Sequence, residues 1–162
     1  MLNDREIEVK MKELARRLEY KYSDISWLKK AMLAEKIIGK DDGINRKNYK
    51  NDALATLGDS ILKCILVEYF FDKREDKKYI TDAKKEIEDN KTLFSIFNQL
   101  GLYEFAHNND YFYGDAPEEK RVSNSNHNQY VEAIIGAIYK DKGFEYAKKW
   151  VINFLKNNEK LK

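Results

Sequence analysis

A single cysteine among 162 residues excludes an internal disulfide and any cysteine cluster for zinc. Proline is equally scarce, with Pro117 alone, and seven glycines supply the remaining backbone punctuation, so little interrupts the chain. No run approaches the roughly 20 apolar residues of a membrane span. The N-terminus, MLNDREIEVKMKELARRLEYKYSD, is charged throughout and lacks the apolar core of a secretory signal. A cytoplasmic protein without membrane association is therefore expected. A strong net charge is missing too: 30 Lys plus Arg against 28 Asp plus Glu leave only +2. That near balance argues against an overtly basic nucleic-acid binder and leaves any polyanion site to local arrangement.

What is present is an apolar content of 43% of the chain, with aromatic residues making 13% of the chain, against 36% charged residues. This is too polar for a membrane protein and too apolar for a disordered chain. The length fits one domain, residues 1–162, large enough to fold without staples.

Apolar residues recur at helical spacing along most of the sequence. Val9, Leu14 and Leu18, with Met11, outline a first helix, and Ile25, Leu28, Ala31, Met32 and Leu33 a second, with Ser23, Asp24 or Ser26 as its cap. Residues 39–51 are polar and turn-like. From residue 52 onward, Ala53, Leu54, Leu57, Ile61, Leu62, Cys64, Ile65, Leu66, Val67, Tyr69, Phe70 and Phe71 make a segment apolar nearly all round, the pattern of a central helix packed by others. Residues 72–78 read as a loop or frayed end. Two helices follow, with Ile87, Leu93, Ile96, Phe97 and Leu100 inward and Gly101 as a stop. Residues 107–129 are polar, a long loop or a pair of short helices. QYVEAIIGAIYKDKGF then gives a buried helix ending near Gly143. The last helix is amphipathic through Ala147, Trp150, Val151, Phe154 and Leu155. The expectation is an all-α fold of about seven helices.

Two acidic positions stand among apolar neighbours: Asp59 in ALATLGDSILKCILV and Glu132 in QYVEAIIGAIY. A buried carboxylate needs a cation, a donor or an opening to solvent. Asp52 precedes Asp59 by about two helical turns and shares its face, and Gln129 shares a face with Glu132. Were the two helices to meet at Asp59 and Glu132, their oxygens would converge on a site suited to Mg²⁺, a hard cation that favours oxygen ligands. The plainer alternatives are that Asp52 caps its helix and that Glu132 pairs with a lysine. Gly58 and Gly136, each beside an acidic position, permit close helix approach; ordinary tolerance of mid-helix glycine is the alternative.

NDALATLGDSIL, residues 51–62, resembles the signature of the ribonuclease III domain family, most closely in LGDSIL. VEAIIGAIYKDKGFEYAKKWV, residues 131–151, resembles its second block. LEYKYSDISWLKKAML and KKEIEDNKTLFSIFNQLGL follow the flanking and intervening segments in the right order. The resemblance implies a helical nuclease domain that forms a homodimer and hydrolyses double-stranded RNA with Mg²⁺, for which Mn²⁺ can substitute, leaving 5′-phosphate and 3′-hydroxyl ends. Carried over position by position, its acidic metal-binding set falls on Asp52, Asp59 and Glu132. Its remaining aspartate falls on Gln129, which offers a neutral carbonyl oxygen in place of a carboxylate. Ala55 stands where the family usually has another glutamate.

Lys77, Lys78, Lys84, Lys85, Lys120 and Arg121 are candidate contacts to RNA phosphates, or else solvated surface charge. The basic last helix, through Lys148, Lys149, Lys156, Lys160 and Lys162, has the same two readings. His107 and His127, the two histidines, fall in the polar 107–129 segment; His127, near Gln129, either adjusts the site or is a polar-loop residue. With the sequence ending at Lys162, no separate double-stranded-RNA-binding domain is expected. RNA affinity would then come from the catalytic face, a protein partner or substrate structure. The alternative function is a catalytically impaired relative that serves as a structural or RNA-binding component, with Gln129 as its mark.

Overall fold

The computed structural model describes residues 1–33, 51–108, 110–116 and 127–162, with the backbone alone at His127 and Asn128. Seven α-helices form among the described residues: α1 (Asp4–Arg17), α2 (Ser26–Met32), α3 (Asp52–Lys73), α4 (Lys77–Glu88), α5 (Asn90–Gln99), α6 (His127–Lys142) and α7 (Phe144–Asn157). Single 3₁₀ turns occupy Leu102–Glu104 and Tyr113–Asp115. Extended pairing among the described residues amounts to two isolated bridges, Leu33 with His107 and His107 with Phe112. The all-α expectation holds.

Local chemistry sets the helix ends. Asn3 and Glu6 form a reciprocal capping box at α1: the Glu6 amide donates to Asn3 Oδ1 at 2.9 Å and the Asn3 amide to Glu6 Oε2 at 3.0 Å. Asp76 and Asp89 accept from the first-turn amides of Tyr79 and Lys91, both at 2.7 Å, starting α4 and α5. Gly101 has φ +61° just past α5, a conformation that glycine adopts without a Cβ penalty. At α2 the cap is less direct than expected. Ile25 occupies the cap position, and Asp24 instead accepts from the Ser26 amide at 2.9 Å.

The core gathers around α6, which packs on α2, α3, α5 and α7. Leu62, Ile65 and Leu66 of α3 meet Ile134, Ile135 and Ile138 of α6 inside one continuous cluster with Leu93, Ile96 and Phe97 of α5. Large side chains buried in this way contribute roughly 1.5–3 kcal/mol each. Asp141, near the end of α6, fastens the α1–α2 connection: it accepts from the Ser23 and Asp24 amides at 2.8 Å and from the Tyr20 hydroxyl. Trp150 of α7 adds a bond to the Leu18 carbonyl at 2.9 Å.

Three expectations need correction. Val9 faces solvent, 60% exposed, while Ile7, Met11, Leu14 and Leu18 form the buried stripe; Val9 lies two residues from Met11, nearly opposite on the helix. α3 is not covered all round. Val67 and Phe71 are 40% and 47% exposed, and Ala53, Thr56, Ser60 and Cys64 continue the same uncovered stripe. His107, expected in a polar loop, is fully buried, with Nδ1 donating to the Phe105 carbonyl at 3.3 Å; burial lowers its pKa and favours the neutral ring. The turn-like 39–50 stretch lies outside the described residues, as does 117–126 of the polar 107–129 segment.

Candidate active site

The site is built on a contact between two backbones. A Cβ at Gly58 would stand 1.7 Å from the Glu132 carbonyl oxygen, and one at Gly136 would stand 2.3 Å from that of Leu54. Both glycines are therefore required by close approach, as their positions beside the acids had indicated. The contact fixes α3 against α6 and places the polar residues of the two helices along one seam.

At one end of the seam the polar atoms are joined by hydrogen bonds. Asn51, 1% exposed, donates from Nδ2 to the Ala31 carbonyl at 3.0 Å. Its Oδ1 accepts from Gln129 Nε2 at 3.0 Å, and the same amide donates to Asp52 Oδ1. Asp52 is the first residue of α3, with Asn51 at the cap position and no side-chain cap bond there, so the capping alternative does not apply. Gln129 is more than a neutral replacement for an acid: its two amide hydrogens link a buried asparagine to a carboxylate, a role no aspartate can fill.

At the other end charge is left poorly balanced. Glu132, half-buried, has its carboxyl pushed up to about 7, first by burial and then by the nearby Asp59 charge, with Lys63 opposing both. Asp59 Oδ2 is paired with Lys63 Nζ at 2.8 Å. Among the described residues Glu132 forms no ion pair, so the lysine-pair alternative is realised at Asp59 instead. Glu88 of α4 stands near the same lysine. Its Oε1 is held by Lys84 at 3.0 Å, while its buried Oε2 has no hydrogen-bond partner among the described residues.

The four predicted site residues thus fall into two pairs, Asp52 with Gln129 and Asp59 with Glu132. Asp52 and Asp59 are separated by about 10 Å along the helix axis. Accordingly, no three His, Cys, Asp or Glu side chains gather as a metal-holding group among the described residues. The pair that fits a divalent cation is Asp59 with Glu132. Two neighbouring carboxylates, one of them driven toward protonation by burial and by the other, are the donor set a hard cation would relieve.

Sequence reasoning passed over Asn51, Lys63 and Glu88. Lys63 had a signal, its i,i+4 spacing from Asp59. Asn51 and Glu88 become recognisable only once the helices are assembled. Of the proposed phosphate contacts, Lys78 is paired with Asp82 at 2.6 Å and Lys84 with Glu88, while Lys77 and Lys85 are exposed on α4. Lys120, Arg121 and the His127 side chain lie outside the described residues. In the last helix Lys148 pairs with Glu68. Ala55 is buried, 4% exposed.

Residues 52–143 match the family model of the Ribonuclease III domain. The chain is 29% identical over 153 residues to Ribonuclease 3 of Campylobacter fetus subsp. fetus, covering 91% of this chain and 62% of the relative. It is 30% identical over 153 residues to Ribonuclease 3 of Clostridium tetani, covering 93% and 62%. The chain therefore spans less than two thirds of the length of these curated relatives. Its fold matches a solved nuclease domain of ribonuclease III from Campylobacter jejuni, described for structural flexibility in the region involved in dimer formation. The TM-score is 0.74 at 25% identity, over 93% of this chain and 99% of that one.

Proposed function

The chain belongs to the ribonuclease III domain family, and from that premise we propose that residues 1–162 form one nuclease domain, a metal-dependent endoribonuclease that hydrolyses double-stranded RNA. The observation that carries the reading is the Asp59–Glu132 pair at the glycine contact, where charge is concentrated and only partly offset. A divalent cation, Mg²⁺ or Mn²⁺, would be held by these two carboxylates; when bound, it supplies neutralisation of phosphate charge and a water of lowered pKa. The chain's own part is positional. Gly58 and Gly136 hold the two carboxylates at a fixed separation, and Gln129 holds Asp52 at the other end of the seam, two helical turns away. Products with 5′-phosphate and 3′-hydroxyl ends follow when water attacks phosphorus and the P–O3′ bond breaks, without participation of the RNA 2′-hydroxyl.

The domain acts as a homodimer. The uncovered stripe of α3, Thr56, Ser60, Cys64, Val67 and Phe71 at spacings of three and four, supports pairing with a second copy. Recognition through phosphates and 2′-hydroxyls gives weak sequence preference, and Lys77 and Lys85 are the exposed α4 cations available for it. Among the described residues no helix is long and apolar enough to cross a membrane; the proposed location is the cytoplasm. A protein partner could add RNA affinity. The alternative of an impaired, purely RNA-binding protein draws no support from the comparisons.

Incubation of the dimer with a long RNA duplex tests the reading. Cleavage is expected with Mg²⁺ or Mn²⁺ and none with chelator, and Asp59→Ala and Glu132→Ala are each expected to abolish it. Undiminished cleavage by either variant would remove that residue from the site.

A further inference from the structure

Lys63 is a residue of the seam to which the family resemblance assigns no role. It lies one turn beyond Asp59 on α3, and the charges of three carboxylates from three helices act on it: Asp59 of α3 foremost, then Glu88 of α4 and Glu132 of α6. Only Asp59 is close enough for an ion pair, at 2.8 Å. The lysine is 47% exposed and Asp59 33%, so the ammonium can reach solvent without unpacking any core residue. Glu88 is itself paired with Lys84, so Asp59 alone of the three is paired with Lys63, whose charge also favours the ionised form of Glu132.

A divalent cation bound by Asp59 and Glu132 would compete with that ammonium for the Asp59 oxygen. It would also repel a positive charge a few ångströms away. The four-carbon stem of a lysine lets its head move to a new anion at little cost, and a phosphate of a bound RNA is the anion this site must receive. We propose that Lys63 is a positioning residue that holds the Asp59 carboxylate in the cation-free site and passes to an RNA phosphate when the cation takes that carboxylate. This rests on the reading of Asp59 and Glu132 as the cation-holding pair. It assigns Lys63 two successive anionic partners, with the release of the first coupled to arrival of the second.

The test uses Mn²⁺ itself as the probe. Its binding to the RNA-free protein is measured by electron paramagnetic resonance for the parent, Lys63→Met and Lys63→Arg. Lys63→Met keeps the apolar stem and removes the charge, so Mn²⁺ should bind about five-fold more tightly, as expected for loss of one competing ion pair. Lys63→Arg should bind Mn²⁺ close to the parent value. Binding of an RNA duplex in Ca²⁺ should weaken by a similar factor in Lys63→Met and be restored in Lys63→Arg. If the parent binds Mn²⁺ and Lys63→Met binds it no more tightly, or if duplex binding is unchanged by Lys63→Met, the role given to Lys63 is wrong while the cation pair stands. If neither protein binds Mn²⁺, the cation-holding pair itself is refuted, and the role of Lys63 with it.

Discussion

The two ends of the α3–α6 seam are built from similar residues and behave differently. At the Asn51 end, an amide, a carboxylate and a buried asparagine exchange hydrogen bonds, and the buried Asn51 is satisfied on both sides of its side chain. Eight residues along α3, Asp59 alone is paired with Lys63, and Glu132 is pushed toward protonation by burial and by the Asp59 charge. A satisfied polar network holds structure, whereas an unsatisfied one stores a demand for something else. The comparison assigns stability to the Asn51 end and cation binding to the Asp59 end, with the paired glycines separating and aligning the two.

The largest expected effect breaks both ends together. Gly58→Ala drives a Cβ into the Glu132 carbonyl, so the helices must separate; a loss of about 3 kcal/mol in urea unfolding is expected, together with Mn²⁺ binding. Asn51→Ala acts at one end. It removes bonds to the Ala31 carbonyl and the Gln129 amide, and should cost about 2 kcal/mol while leaving Mn²⁺ affinity nearly unchanged. Gln129→Asp discards the amide that links Asn51 to Asp52 and sets a second carboxylate against Asp52. Metal-free stability should fall by about 1 kcal/mol, with Mn²⁺ affinity at the Asp59–Glu132 pair nearly unchanged.

The smallest effect is a pH slope. Glu132 carries a folded-state pKa of about 7 against an ordinary 4.5. Between those values the native protein keeps a proton that the unfolded chain has released, so its stability falls as pH rises through that window and levels off above it. Thermal unfolding in chelator should show this decline, and Glu132→Gln should flatten it.

Much of this was legible beforehand for identifiable reasons. Helices with a single buried stripe, such as α5 with Leu93, Ile96 and Phe97, announce themselves by spacing. Gly58 and Gly136 were legible because mid-helix glycine is costly and each adjoined an acid. The outward face of α3 was misread because apolar periodicity records burial without saying which chain provides it. The division of the site was hidden for a different reason. Asp52 and Asp59 do share a face, but two turns of rise separate them, and Gln129 reaches Asp52 while Glu132 meets Asp59. Asn51 gave no sign because its partners, Ala31 and Gln129, are 20 and 78 residues away in sequence.

The most direct test of the division is Glu132→Gln, a nearly isosteric change that removes the charge and keeps the shape. Mg²⁺-dependent cleavage of an RNA duplex and metal-free unfolding are measured on the same preparation. Cleavage should fall by at least about a hundredfold, the scale of lost metal-site residues, while metal-free stability at pH 7 holds or rises because an unfavourable buried charge is gone. Cleavage that survives the substitution, or a loss of activity matched by a loss of stability, would contradict the assignment of function to the Asp59–Glu132 end.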